Sequence, residues 1–193
     1  MIPEEVLQEV AGQVRECTDC KLHLSRKNAV PGEGPGFHEN EQGRPFVGAA
    51  GHFLEELLAS IGLTREQVYI TNIVKCRPPG NRDPQLPEIT ECSKYLERQI
   101  EAINPRVIVT LGRFSMARFI PEARISTVHG RARTVNGRLV VPMYHPAAAL
   151  HQPALRRVVE EDFSRLPEMI ERAQATTPSP DESSSQAQQL SLF

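Results

Sequence analysis

Apolar residues along this chain recur with two different periods. Val6, Val10 and Val14 fall at helical spacing behind Pro3, so residues 3–16 predict a helix with proline in its first turn. Residues 49–61, AAGHFLEELLASI, predict a second amphipathic helix, with Gly62 placed to end it. The run VYITNIV, 68–74, is β-branched and apolar throughout and predicts a buried strand. A long helix over QLPEITECSKYLERQIEAI stops before Pro105. The strand RVIVTLG (106–112), the helix RFSMARFI, a third strand within GRLVVPMYHP (137–146) and a last helix from Pro153, bent at Pro167, complete the body. Residues 27–30 add a short strand before a glycine-rich segment. Strands alternating with helices predict an α/β fold whose mainly parallel sheet is covered on both faces.

The pattern stops after Ala175. TTPSPDESSSQAQ is polar and rich in Pro and Ser, a composition that cannot bury a core, so the chain reads as a folded body over 1–173 and a disordered tail over 174–193. The body belongs to a protein of 193 residues with 39% hydrophobic residues and no Trp. No apolar run approaches the roughly 20 residues of a membrane span. The N-terminal stretch is charged and amphipathic, without the apolar centre of a signal peptide. A cytoplasmic monomer with no membrane partner is the expectation.

Charge adds little. The net value is −2, and the tail holds Asp181 and Glu182 but no Lys or Arg, leaving the body balanced at 22 charges of each sign. A nucleic-acid surface must then be a local patch, with candidates Lys75, Arg77 and Arg82; Arg131, Arg133 and Arg138; and Arg156 and Arg157.

Four cysteines change the picture more. Cys17 and Cys20 form a C-x2-C pair, and Cys76 and Cys92 follow with 15 residues between them. Four thiolates suit a closed four-coordinate site, and zinc and an iron–sulfur cluster both fit. The missing second C-x2-C favours iron–sulfur.

Three further segments lie at predicted strand ends, where ligands bind in open parallel sheets. The glycines of PGEGPG let backbone N–H groups approach a ligand. Asn72, inside an apolar run, needs either a local backbone partner or a ligand with a matching donor–acceptor edge. His145, between a strand and a proline, suits hydrogen-bond donation to a developing anion. Phe46, closing a Pro- and Gly-rich loop, is placed to stack on a flat ring.

GEGPG, GRPFVG with the following AG, TNIVKCRPPGNRDP, the four cysteines and HPAAAL, in this order, resemble the family 4 uracil-DNA glycosylases from about residue 10 to 172. The resemblance implies a three-layer α/β/α sandwich with a central four-stranded parallel sheet, and a 4Fe–4S cluster on Cys17, Cys20, Cys76 and Cys92. It implies a DNA-repair enzyme that flips uracil out of single- or double-stranded DNA and hydrolyses its N-glycosidic bond. A non-catalytic reader of uracil or abasic DNA is the alternative. By the same resemblance Glu33 and His145 are catalytic, while Gly34, Glu39, Phe46 and Asn72 bind uracil. Ala147, Ala148, Ala149 and Leu150 form a loop that enters the duplex. The terminal QLSLF resembles the bacterial sliding-clamp-binding pentapeptide, with Gln189, Leu190, Leu192 and Phe193 as contacts, and implies association with the nucleoid during repair.

Overall fold

The computed structural model describes residues 2–30, 37–42, 46–150 and 152–175. Helix α1 (Pro3–Glu16) begins with Glu4 and Glu5 and ends with Arg15, charges that complement the helix dipole. Its buried stripe, Val10 and Val14, packs on α4 (Leu86–Ile103) through Tyr95 and Leu96. Helices α2 (Phe37–Gln42) and α3 (Ala49–Ser60) lie between them in sequence. Gly62, at φ 75°, follows the end of α3, as its position in the sequence predicts. Asn104, at φ 46°, ends α4 in the left-handed conformation before Pro105.

β1 (Val107–Leu111) runs parallel to β3 (Arg138–Met143), with Val107 opposite Leu139 and Leu111 opposite Met143. β2 (Arg133–Val135) pairs antiparallel on the other side of β3, giving the order β1-β3-β2. Asn136 and Gly137, both at positive φ, make the turn between β2 and β3. An Asn-Gly pair between two short strands is a strong hairpin signal, and β2 is a strand that the apolar periods alone do not reveal.

Side chains alternate across the sheet. Val107, Val109, Leu111, Leu139, Val141 and Met143 face a core shared with α3 and α8 (Pro153–Ser164). Ile108 and Val140 face the opposite way, toward Met116 of α5 (Arg113–Ala117) and Val128 of α6 (Ile125–Val128). Both faces are covered, as an α/β sheet requires. The short α7 (Pro146–Leu150) follows β3, and α9 (Leu166–Ala175) follows α8. The chain breaks between those last two helices at Arg165, two residues before Pro167, and α9 continues to Ala175, past residue 173.

The sheet corrects the sequence reading in one respect. Among the described residues it has three strands, one of them antiparallel, rather than four parallel ones. The segment 68–74 is apolar and its side chains pack into two cores, Val68 and Ile70 in one, Ile73 and Val74 in the other. Its backbone groups go elsewhere than to a ladder. Ile73 N–H donates to the Asn72 side chain, and the Asn72 carbonyl accepts from Lys75 Nζ. Just beyond it, Lys75 N–H donates to Cys92 Sγ and the Lys75 carbonyl accepts from Val30 N–H. Residues 27–30 likewise form no strand, and Val30 N–H donates to the Lys75 carbonyl just past this segment.

Candidate active site and cysteine pocket

β3 delivers Tyr144 and His145 to the end of the sheet, and the turn into α7 fixes the imidazole. Ala147 N–H donates to His145 Nδ1 at 3.1 Å. Nδ1 is therefore the acceptor, and the ring proton of the neutral imidazole sits on Nε2, aimed away from its own turn. Burial pushes the His145 pKa below its ordinary value, with the Glu39 carboxylate pulling the other way. Gly112, at the end of β1 with φ 88°, makes room: a Cβ there would stand 3.2 Å from His145 Cβ. Its N–H donates to the Met143 carbonyl at 2.8 Å and ties the two strand ends together.

Phe46 stacks on His145 with ring centroids 5.6 Å apart and an interplanar angle of 17°. Its backbone is in the left-handed region, φ 48°, which costs an L-residue energy and needs support from around it. Three contacts supply that support. Arg65 Nη1 donates to the Phe46 carbonyl at 3.2 Å. The next residue, Val47, donates its N–H to Glu39 Oε1 at 3.0 Å. Gly51, in the first turn of α3, lies so close beneath that a Cβ on it would fall 2.0 Å from the Phe46 oxygen. The structure thus stacks Phe46 on His145 and brings Glu39 near both, through the Val47 N–H and through its charge on the imidazole. Gly51 enters the sequence reading only within the AG that follows GRPFVG, and Arg65 and Gly112 carry no motif; a glycine closing a strand is the signal available for Gly112.

Asn72 lies at the junction of two cores, with Ile70 in the one that holds Phe46 and Ile73 in the one that holds the cysteines. Its Oδ1 takes a local backbone partner, Ile73 N–H, at 2.6 Å. Glu33 and Gly34 lie outside the described residues, as do Gln189, Leu190, Leu192 and Phe193.

The loop expected to enter a duplex is α7. Ala148 and Leu150 are exposed and Ala147 is half-buried, but Ala149 is 3% exposed and packs into the core beside Val159 and Phe163. A five-residue helix cannot turn every side chain outward, so Ala149 anchors the element and is removed from the duplex-facing set.

The four cysteines line one small cavity together with Val14, Leu22 and Tyr95. Cys17 and Cys20 are half-buried, Cys76 and Cys92 buried. Burial raises the Cys20 and Cys76 thiols, with the neighbouring cysteines adding to the shift, and pushes Cys92 up to about 11. Donors already surround the sulfurs: Arg26 Nη1 reaches Cys76 Sγ and Lys75 N–H reaches Cys92 Sγ, each at 3.3 Å. The same Arg26 donates to the carbonyls of Val14 and Arg15, binding the end of α1 to the pocket. Among the described residues no three His, Cys, Asp or Glu side chains are gathered tightly enough to hold a single metal ion.

The first basic patch is also corrected. Lys75 is 1% exposed, so it is no surface cation. Arg82 makes a two-pronged pair with Glu88 at 2.6 and 2.9 Å, which neutralises it, and Arg77 Nε donates to Asn81.

An α/β sheet that presents a buried histidine and an aromatic ring beyond its parallel strand ends has the arrangement at which the class of open α/β sheets binds ligands. The comparisons narrow this class. The family model for the uracil DNA glycosylase superfamily matches residues 26–166, and the chain belongs to that superfamily. It is 48% identical over 186 residues to a type-4 uracil-DNA glycosylase of Saccharolobus solfataricus, covering 85% of this chain and 86% of the relative. It is 45% identical to one of Archaeoglobus fulgidus over 89% of this chain and 97% of the relative. A third, of Thermotoga maritima, is 41% identical over 88% of this chain and 97% of the relative.

Proposed function

We propose that this protein is a DNA-repair uracil-DNA glycosylase, a hydrolase that extrudes uracil from DNA and cleaves its N-glycosidic bond to leave an abasic site. The observation that carries the mechanism is the fixed tautomer of His145, a neutral donor at Nε2 stacked against Phe46.

Extruding a base costs a few kcal/mol of stacking and pairing, which contacts to the DNA backbone and a wedge in the vacated space offset. The exposed Leu150 and Ala148, with Ala147, form that wedge. Phe46 supplies a face for the flipped ring. Breaking the N1–C1′ bond leaves negative charge on the base and positive charge on the sugar. His145 donates from Nε2 to uracil O2 as that charge develops; its neutrality is sustained by burial and by the Ala147 N–H on the other nitrogen. Asn72 reads the N3–H and O4 edge, which cytosine presents in reverse. Glu33 orients the attacking water or steadies the sugar cation, and Gly34 lets the backbone approach the base. Glu39 holds the turn that carries Phe46 and contributes the pocket's nearby negative charge.

The four thiols suit the 4Fe–4S cluster that the family resemblance implies. Four thiolates lining one cavity supply the complete ligand set that such a cluster takes. Cys17, Cys20, Cys76 and Cys92 would hold it, and bound there it would cross-link the end of α1, the 75–76 segment and α4. The terminal QLSLF would bind a sliding clamp, keeping the enzyme at the nucleoid.

Incubation with uracil-containing single- and double-stranded oligonucleotides, followed by alkali, tests the activity. Strand cleavage at uracil is the expected result. Retention on the DNA without cleavage would mean a reader instead of an enzyme.

A further inference from the structure

Lys75 is among the largest fully buried side chains of the protein, and its position calls for a reason. A lysine head group withdrawn from water costs several kcal/mol before its partners repay it, and methionine would fill the same space without that cost. The ammonium finds three oxygens: Thr71 Oγ1 at 2.7 Å, the Asn72 carbonyl at 2.6 Å and Gln99 Oε1 at 2.8 Å. Two of these can only accept. The third, the Thr71 hydroxyl, spends its own proton on Gln99 Oε1 at 2.8 Å. All three bonds therefore need a hydrogen from nitrogen, and the geometry calls for the charged form.

The peptide group between Asn72 and Ile73 is gripped at both ends. Its oxygen accepts from Lys75 Nζ, and its N–H donates to the side-chain Oδ1 of Asn72 at 2.6 Å. A cation on the oxygen polarises the peptide and strengthens the N–H as a donor. The amide of Asn72 is thus held with Oδ1 toward Ile73. Turning it over would set its NH₂ against that N–H, two donors facing each other. A reversed amide presents the donor–acceptor order that cytosine matches. Lys75 also reaches outward through its own backbone: its N–H donates to Cys92 Sγ and its carbonyl accepts from Val30, the last described residue before the glycine-rich segment.

We propose that Lys75 is a positioning residue for uracil selection, locking the orientation of the Asn72 amide through the 72–73 peptide. The proposal rests on the glycosylase reading and on Asn72 as the base reader.

Four measurements on Lys75→Met test it: metal content, affinity for an abasic-site duplex, single-turnover release of uracil, and binding of free uracil followed by ligand-detected NMR. Metal content and duplex affinity are expected to stay within about twofold of the parent, since the bond to Cys92 comes from the Lys75 backbone N–H, which methionine keeps. Uracil release is expected to slow about tenfold to a hundredfold, the scale of a small misplacement at a reacting site, and free uracil to bind more weakly. A variant that releases and binds uracil as the parent does overturns the proposal. If Lys75→Met does not fold, Thr71→Val decides, because it removes one acceptor and leaves the ammonium in place. A release about tenfold slower, the worth of one hydrogen bond to a charged group, supports the lock, and an unchanged rate overturns it. A parent protein that releases no uracil would instead defeat the activity itself.

Discussion

At the scale of single residues, His145 carries the sharpest expectations. Replacing it by alanine removes one preorganised donor, and His145→Ala is expected to slow single-turnover uracil release about 10²–10³-fold while affinity for an abasic duplex stays within a few-fold. Equal loss of both would remove the assigned role. Its pH behaviour follows from the lowered pKa. The neutral ring persists below the ordinary histidine value of 6.5, so release stays level from pH 8 to that value and falls at lower pH. Protonation there places Nδ1–H against Ala147 N–H and loses their hydrogen bond. Because the folded-state value is depressed, the stability linked to this group is present above 6.5 and is likewise lost as pH falls through the folded value. His145→Ala should flatten that acid limb in a pH series of melting temperatures. The residue type and its place after a strand were legible in the sequence; the tautomer was not, because a turn of three residues sets it.

At the scale of elements, α3 matters less for its apolar stripe than for where it puts Gly51. That glycine meets the Phe46 carbonyl, and a methyl there would overlap it at 2.0 Å. Gly51→Ala is expected to destabilise the fold by about 1–3 kcal/mol, the usual cost of overpacking, and to slow uracil release by moving the stacking ring. Thermal unfolding and single-turnover kinetics would read the two effects, and an unchanged Tm would show that the loop yields freely. The helix itself was plain from periodicity, as were α1, α4 and the parallel pair β1 and β3. The segment 68–74 was not. Its apolar run is as strand-like as any in the chain, yet Asn72 and Lys75 capture its backbone groups, and local hydrogen bonding overrides β propensity.

For the whole molecule, the cysteine pocket is the joint. α1 and α4 meet around it, and Arg26 and Lys75 tie its sulfurs to the rest. Cys76→Ser is expected to lower both metal content and melting temperature; undiminished iron would take Cys76 out of the ligand set. Deleting Gln189–Phe193 should abolish retention by a sliding clamp in a pull-down and leave activity on short oligonucleotides unchanged. Loss of activity with that deletion would mean the tail serves the catalytic body instead.

By itself the sequence determined the α/β class, most helices and the four thiols, and it marked Phe46, Asn72 and His145 as candidates for the site, because periodicity and motif order are local properties of the chain. Tertiary structure decided what those residues are able to do. It turned Lys75 from a surface charge into a buried strut, drew Ala149 inward, and brought Phe46 and His145, 99 positions apart, into ring contact. Such outcomes depend on which faces of distant elements pack together, and no window along the chain contains both partners.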